Sequence, residues 1–158
     1  MIVIQIIYDA GSLLSACING TCLALLNAGI VMNSLIASSS CAILESDESA
    51  EMNVDENQPT TGGNAILTDC TTAQEQKARC VLTFAFDRTL KGVVTSVTRG
   101  KFTPKEYFDC LDVAKEECNH TVLGYFRTAM TEQYETQLTP EDSSSSSSQP
   151  LQHIVSAR

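Results

Sequence analysis

The chain has 158 residues, 43% of them hydrophobic and 18% charged, enough for one domain with its own core and ordinary for a soluble globular protein. Nineteen acidic residues against ten basic ones give a formal net charge of −9. That balance works against autonomous binding to a phosphate backbone, which needs clustered Lys and Arg.

Residues 2–8 are β-branched and apolar almost without a break, the pattern of a strand buried on both faces. The run lacks a basic leader and is too short to span a bilayer. Asp9-Ala10-Gly11-Ser12 breaks it, and Ser12 is placed to N-cap a helix. That helix is predicted over residues 13–28, apolar on nearly every side and therefore buried, with Gly29 as its stop. Ile36 to Leu44 reads as the next strand. Residues 45–63 turn acidic and polar, with Pro59 and Gly62-Gly63, and read as a surface loop or insertion. Strands are predicted over residues 64–68, 78–86 and 92–99, the last two joined by a turn near 87–91.

Thr103-Pro104-Lys105-Glu106 is a strong helix start. Thr103 suits the N-cap, Pro104 the first helical position and Glu106 the third, a capping box. Apolar residues then recur at helical spacing as far as Met130, so this helix is long and amphipathic. Residues 137–158, with six serines at 143–148, have the composition of a disordered tail after a domain spanning 1–136. The predicted order is β-α-β-loop-β-β-β-α: an α/β fold with a mixed sheet, a buried helix and a long C-terminal helix.

Seven cysteines (Cys17, Cys22, Cys41, Cys70, Cys80, Cys110 and Cys118) form no CxxC pair and no zinc-like spacing. Most lie in apolar runs, which favours buried, reduced thiols and a reducing compartment. Catalytic motifs are missing. Neither a phosphate-binding glycine loop nor a GxSxG elbow occurs, and His120 and His153 offer little for a triad. Glu45, Asp47, Glu48, Glu51, Asp55 and Glu56 cluster in the 45–63 segment, where a solvated loop is favoured over a metal site built on rigid elements. Asp69, just after a strand, reads as a turn former. No metal or cofactor is expected.

Several stretches resemble one family. They are Tyr8-Asp9-Ala10-Gly11-Ser12-Leu13-Leu14, Leu26-Asn27-Ala28-Gly29-Ile30-Val31-Met32, Gln74-Glu75, Lys77-Ala78-Arg79, Val81-Leu82-Thr83-Phe84-Ala85-Phe86 and Thr95-Ser96-Val97-Thr98-Arg99-Gly100. In this order, across residues 3–136, they resemble the RNase PH-like core subunits of the RNA exosome, with the ribosomal protein S5 domain 2-like fold. The resemblance implies a ring of such subunits threaded by RNA, including a neighbour of the ribosomal RNA-processing protein 43 type, with cap subunits, in the nucleus, nucleolus and cytoplasm. It also implies an N-terminal half preceding the point where this chain begins.

Active relatives carry Gly-Thr-Arg at the first helix to hold the attacking phosphate, and aspartates entering the long strand. Here Gly11-Ser12-Leu13 takes the first place, and Arg79 and Val81 fall near the second. Leu13 cannot bind phosphate, and neither Arg79 nor Val81 can act as a general acid, so a non-catalytic scaffold is expected. The rival is an active phosphorolytic or hydrolytic 3′-exoribonuclease, and the bland alternative an unassembled fragment. Lys77, Arg79, Arg99 and Lys101 are candidate RNA contacts, weighed against plain solvated charge.

Overall fold

The computed structural model describes residues 1–45, 59–61, 64–88 and 92–138. β1 (Ile36–Leu44) has the bounds its sequence predicts and lies at the centre of a five-stranded sheet. Its companions are β2 (Thr60–Thr61), β3 (Asn64–Thr68), β4 (Cys80–Asp87) and β5 (Val93–Gly100), in the order β2-β3-β1-β4-β5. The sheet was expected to be mixed, and every pairing is antiparallel. The reason is topological: β3 and β4 run the same way, but β1 lies between them and opposes both.

Every residue of β1 from Ala37 to Leu44 is buried. Two of its three serines, Ser38 and Ser40, survive burial because their hydroxyls are paired. Ser40 Oγ shares a hydrogen with Thr83 Oγ1 at 2.8 Å, and Ser38 Oγ donates to the Phe84 carbonyl at 2.8 Å. Strand alternation divides the apolar residues into two clusters. Cys41, Ile43, Ile66, Leu82 and Phe84 meet Cys110 and Ala114 of α3 (Pro104–Glu117), while Ala42, Leu44, Leu67 and Cys70 form a smaller group. Phe84, fully buried, meets the Tyr107 ring edge-on at 5.3 Å, a favoured aromatic geometry.

The α3 capping box forms as predicted. Thr103 Oγ1 accepts from the Glu106 N–H at 3.3 Å, and Glu106 Oε2 accepts from the Thr103 N–H at 2.7 Å, an arrangement worth about 1 kcal/mol. The helix continues through a π-helical turn (Cys118–Val122) into α4 (Leu123–Leu138).

α1 (Leu13–Asn27) packs against β1 and β4. It is less buried than its continuous apolar sequence implies: Ser15 and Cys22 are buried, but Leu14 is 42% exposed. Its side chains also do sheet-edge work. β1 extends beyond β3 at residues 36–40, leaving backbone groups open on that side. Ser40 O accepts from Asp69 N at 3.1 Å, and one period further on Asn19 takes both groups of Ser38. Asn19 Nδ2 donates to Ser38 O and Asn19 Oδ1 accepts from Ser38 N, each at 2.8 Å. One amide thus stands in for a missing strand residue.

Two further expectations are corrected. Residues 2–8 form no strand, and Ile2 and Ile7 are 60% and 95% exposed. A β-branched run becomes a strand only when a neighbour supplies backbone partners, and none of the described residues does so. Ser12 precedes α1 but does not cap it through its side chain. The stretch between β3 and β4, left unassigned from sequence, contains α2 (Thr72–Lys77), opened by a Thr71–Gln74 capping box.

Gly29 ends α1 in the left-handed region at φ 67°, as expected. The segment at 45–63, read as a loop, contributes the two residues of β2. Asp47, Glu48, Glu51, Asp55, Glu56, the Gly62-Gly63 turn, turn residues 89–91, the serine run and His153 lie outside the described residues.

Candidate functional site

Residues 9–13 meet residues 70–75 at the N-terminus of α1, and Arg79, further along the second segment, pairs with Glu106 at the start of α3. Asp9 Oδ1 accepts from Gly11 N at 3.0 Å, and Ala10 O accepts from Thr72 N at 2.8 Å. Gly11 has φ 116°, and a Cβ there would sit 2.2 Å from the Cys70 carbonyl oxygen. Only glycine fits this approach. Ser12 follows at φ 49°, a left-handed conformation that costs a non-glycine residue strain. Two long-range bonds hold it there. Its hydroxyl donates to Cys70 O at 3.1 Å, and its N–H donates to Glu75 Oε1 at 2.7 Å.

The second bond decides the chemistry of the site. A helix N-terminus with free N–H groups attracts anions. Here Glu75, carried on α2, places a carboxylate on the Ser12 N–H, and Leu13 follows with no charge to offer. The chain's own carboxylate therefore takes one of the backbone N–H groups at this helix end.

Sequence reasoning missed this contact. Ser12 and Glu75 are 63 residues apart, and only the α2 capping box, legible as Thr71-Thr72-Ala73-Gln74, hints that Glu75 is fixed on a helix.

Arg79, a candidate RNA contact, is turned inward. Its Nη2 pairs with Glu106 Oε1 at the first turn of α3. Burial pushes the Glu106 carboxyl up, but the Thr103 N–H, the Arg79 guanidinium and the Thr103 hydroxyl outweigh it and hold it below the usual carboxylate range. The same carboxylate raises Arg79 further. The pair is locked in place by the hairpin. Gly100 lies opposite Cys80 at φ 95°, where a Cβ would come within 2.3 Å of the Arg79 carbonyl oxygen.

Arg99 of β5, opposite Val81 of β4, and Lys101 just beyond it are exposed and share this end of the ladder. Lys77 sits in the last turn of α2. Val81 packs against the smaller apolar cluster, away from any acid–base role. Asp69 adopts φ 50°, as befits a turn former. Glu45 follows β1, and His120 is exposed on the π-helical turn.

The fold and this junction define a class. Residues 34–117, more than half of the chain, match the 3′ exoribonuclease family, domain 2, and the chain belongs to that family. It is similar to the exosome complex exonuclease RRP46 homolog of Oryza sativa subsp. japonica, at 24% identity over 148 residues, covering 84% of this chain and 55% of the relative. The homolog of the same name in Arabidopsis thaliana is 27% identical over 113 residues, 70% of this chain and 46% of that one. The crystal structure of rice Rrp46 superposes with a TM-score of 0.64 at 26% identity, covering 80% of this chain and 52% of that chain. The chain thus spans about half the length of the relatives it matches.

Proposed function

We propose that this chain is a non-catalytic scaffold subunit of an RNA exosome. It would support 3′→5′ RNA processing and decay, including ribosomal RNA maturation and messenger RNA turnover, by taking part in a ring of RNase PH-like subunits. The observation that carries this reading is the Ser12–Glu75 bond at 2.7 Å, which fills the anion-seeking end of α1 with the chain's own carboxylate. Phosphorolysis needs a held phosphate and a group to protonate the leaving oxygen. Leu13 stands where the resemblance calls for the phosphate-holding Arg, and Arg79 and Val81 fall near where it calls for the aspartates.

Partners of the ribosomal RNA-processing protein 43 type and cap subunits fit the resemblance, and the exposed apolar residues Val93, Val94 and Val97 on edge strand β5 suit a subunit contact. Arg99 and Lys101 are exposed enough to meet RNA within such an assembly, whereas Arg79 is engaged by Glu106. Nuclear, nucleolar and cytoplasmic residence goes with this role, and buried free thiols suit reducing compartments.

Affinity purification of the tagged chain from cells tests the proposal. Other RNase PH-like subunits should co-purify in near-equal amounts, and their absence would leave only an unassembled fragment. A second reading takes up the word exonuclease in the relatives' name and makes the chain an active nuclease. Release of nucleoside diphosphates from RNA in inorganic phosphate, or of monophosphates without it, would favour that reading.

A further inference from the structure

A cavity of about 440 Å³ opens between the start of β1, the end of β4 and the junction of α3 with the π-helical turn. Its floor is apolar: Ala37, Phe86 and Leu123 are 2%, 7% and 7% exposed. Its rim is cationic and polar, with Arg88, Lys115 and Asn119 all exposed. None of these residues belongs to the 9–13 or 69–79 segments, so the cavity is distinct from the α1 junction.

Three features make it more than a chance hollow. Arg88 is positioned by its backbone, whose N–H donates to Leu35 O at 3.0 Å. Among the described residues neither the Arg88 guanidinium nor the Lys115 ammonium forms an ion pair with a carboxylate. The acid that also lines the cavity, Asp87, accepts from the Ser34 hydroxyl. Arg88 and Lys115 outnumber the single carboxylate of Asp87, so the lining is net positive in a chain whose net charge is −9. Finally, the helix widens at this point: the Leu123 N–H reaches back to Cys118 O, and such π-helical turns recur at functional sites.

We propose that this cavity binds a nucleoside monophosphate group. The base lies on the apolar floor, and the phosphate sits between Arg88 and Lys115 in charge-assisted hydrogen bonds. The Asn119 amide, both donor and acceptor, faces the polar edge of the heterocycle. The volume falls in the range of small-ligand sites. A bare inorganic anion leaves the floor unused, and an acyl chain leaves the Asn119 amide unused. The same group comes from a free nucleotide or from the 5′-phosphorylated end of a single-stranded RNA.

Calorimetric titration of the whole chain with adenosine monophosphate, adenosine, inorganic phosphate and a 5′-phosphorylated oligoadenylate tests this. Adenosine monophosphate should bind more tightly than adenosine or phosphate. Arg88→Gln or Lys115→Gln should each weaken it about five- to tenfold. Both residues are exposed, so the variants should fold, as circular dichroism would verify. Tighter binding of the oligonucleotide than of the mononucleotide assigns an RNA end, and equal or weaker binding assigns a free nucleotide. No binding of adenosine monophosphate, affinity no greater than that of inorganic phosphate, or affinity unchanged in the Arg88→Gln/Lys115→Gln variant would overturn the proposal.

Discussion

The Ser12 backbone N–H donates to Glu75 Oε1 at 2.7 Å across 63 residues of sequence. This bond joins the start of α1 to α2 and places a carboxylate at the positive end of the helix. Replacing Glu75 by Ala should lower unfolding free energy by about 1–2 kcal/mol, because the Ser12 N–H loses a charged acceptor. Glu75→Gln should cost less, since its amide oxygen still accepts. Urea denaturation of the three proteins measures both effects, and equal stability of all three would show that the bond contributes nothing.

Asn19 supplies the second prediction. Its amide satisfies both the N–H and the C=O of Ser38, so Asn19→Ala strands two backbone groups where β1 has outrun β3. A loss of about 2 kcal/mol is expected. Asn19→Asp should also destabilise the fold, since a carboxylate accepts from the Ser38 N–H but repels its carbonyl oxygen. An Asp variant as stable as the native protein would contradict this account.

Local patterns made much of the fold legible. β1 is legible from its apolar ends, Ile36-Ala37 and Cys41–Leu44, with Glu45 stopping it, and α3 because Thr103, Pro104 and Glu106 encode its start chemically. The failures share a cause. Residues 2–8 carry strand propensity without a strand partner among the described residues, and propensity cannot supply one. The sheet's direction depends on β1 lying between β3 and β4, which no local pattern records. At the site, Leu13 and Arg79 could be judged by residue type, but the engagement of Ser12 by Glu75 and of Arg79 by Glu106 rests on contacts between distant segments.

The thiols provide a third test. Six cysteines are buried and Cys17 is partly so. Burial pushes Cys70 and Cys118 up to about 12 and Cys80 to about 11, while Cys41, hydrogen-bonded with Cys110 in the core, is also driven upward. Thiolates are the reactive form. A disulfide reagent added to the folded chain should therefore modify about one thiol rapidly, Cys17, and all seven only after denaturation. Rapid modification of several thiols without denaturant would show that the core is open.

The fourth concerns pH. The folded Glu106 carboxyl lies below its ordinary value. Its stabilising contribution is therefore present above the unfolded-state pKa and is lost as pH falls through the lower folded value. The melting temperature of the native chain should fall on going from pH 6 to about pH 3, and Glu106→Gln should show a shallower fall. Identical slopes would mean that the Arg79–Glu106 pair does not contribute in this window.

Incubating the purified chain with a 3′-labelled single-stranded RNA in millimolar inorganic phosphate, and following nucleoside diphosphate release, tests the central claim. With Glu75 seated on the Ser12 N–H and Leu13 beside it, the RNA should stay intact at all phosphate concentrations. Shortening of the RNA that rises with phosphate, in step with diphosphate product, would contradict it.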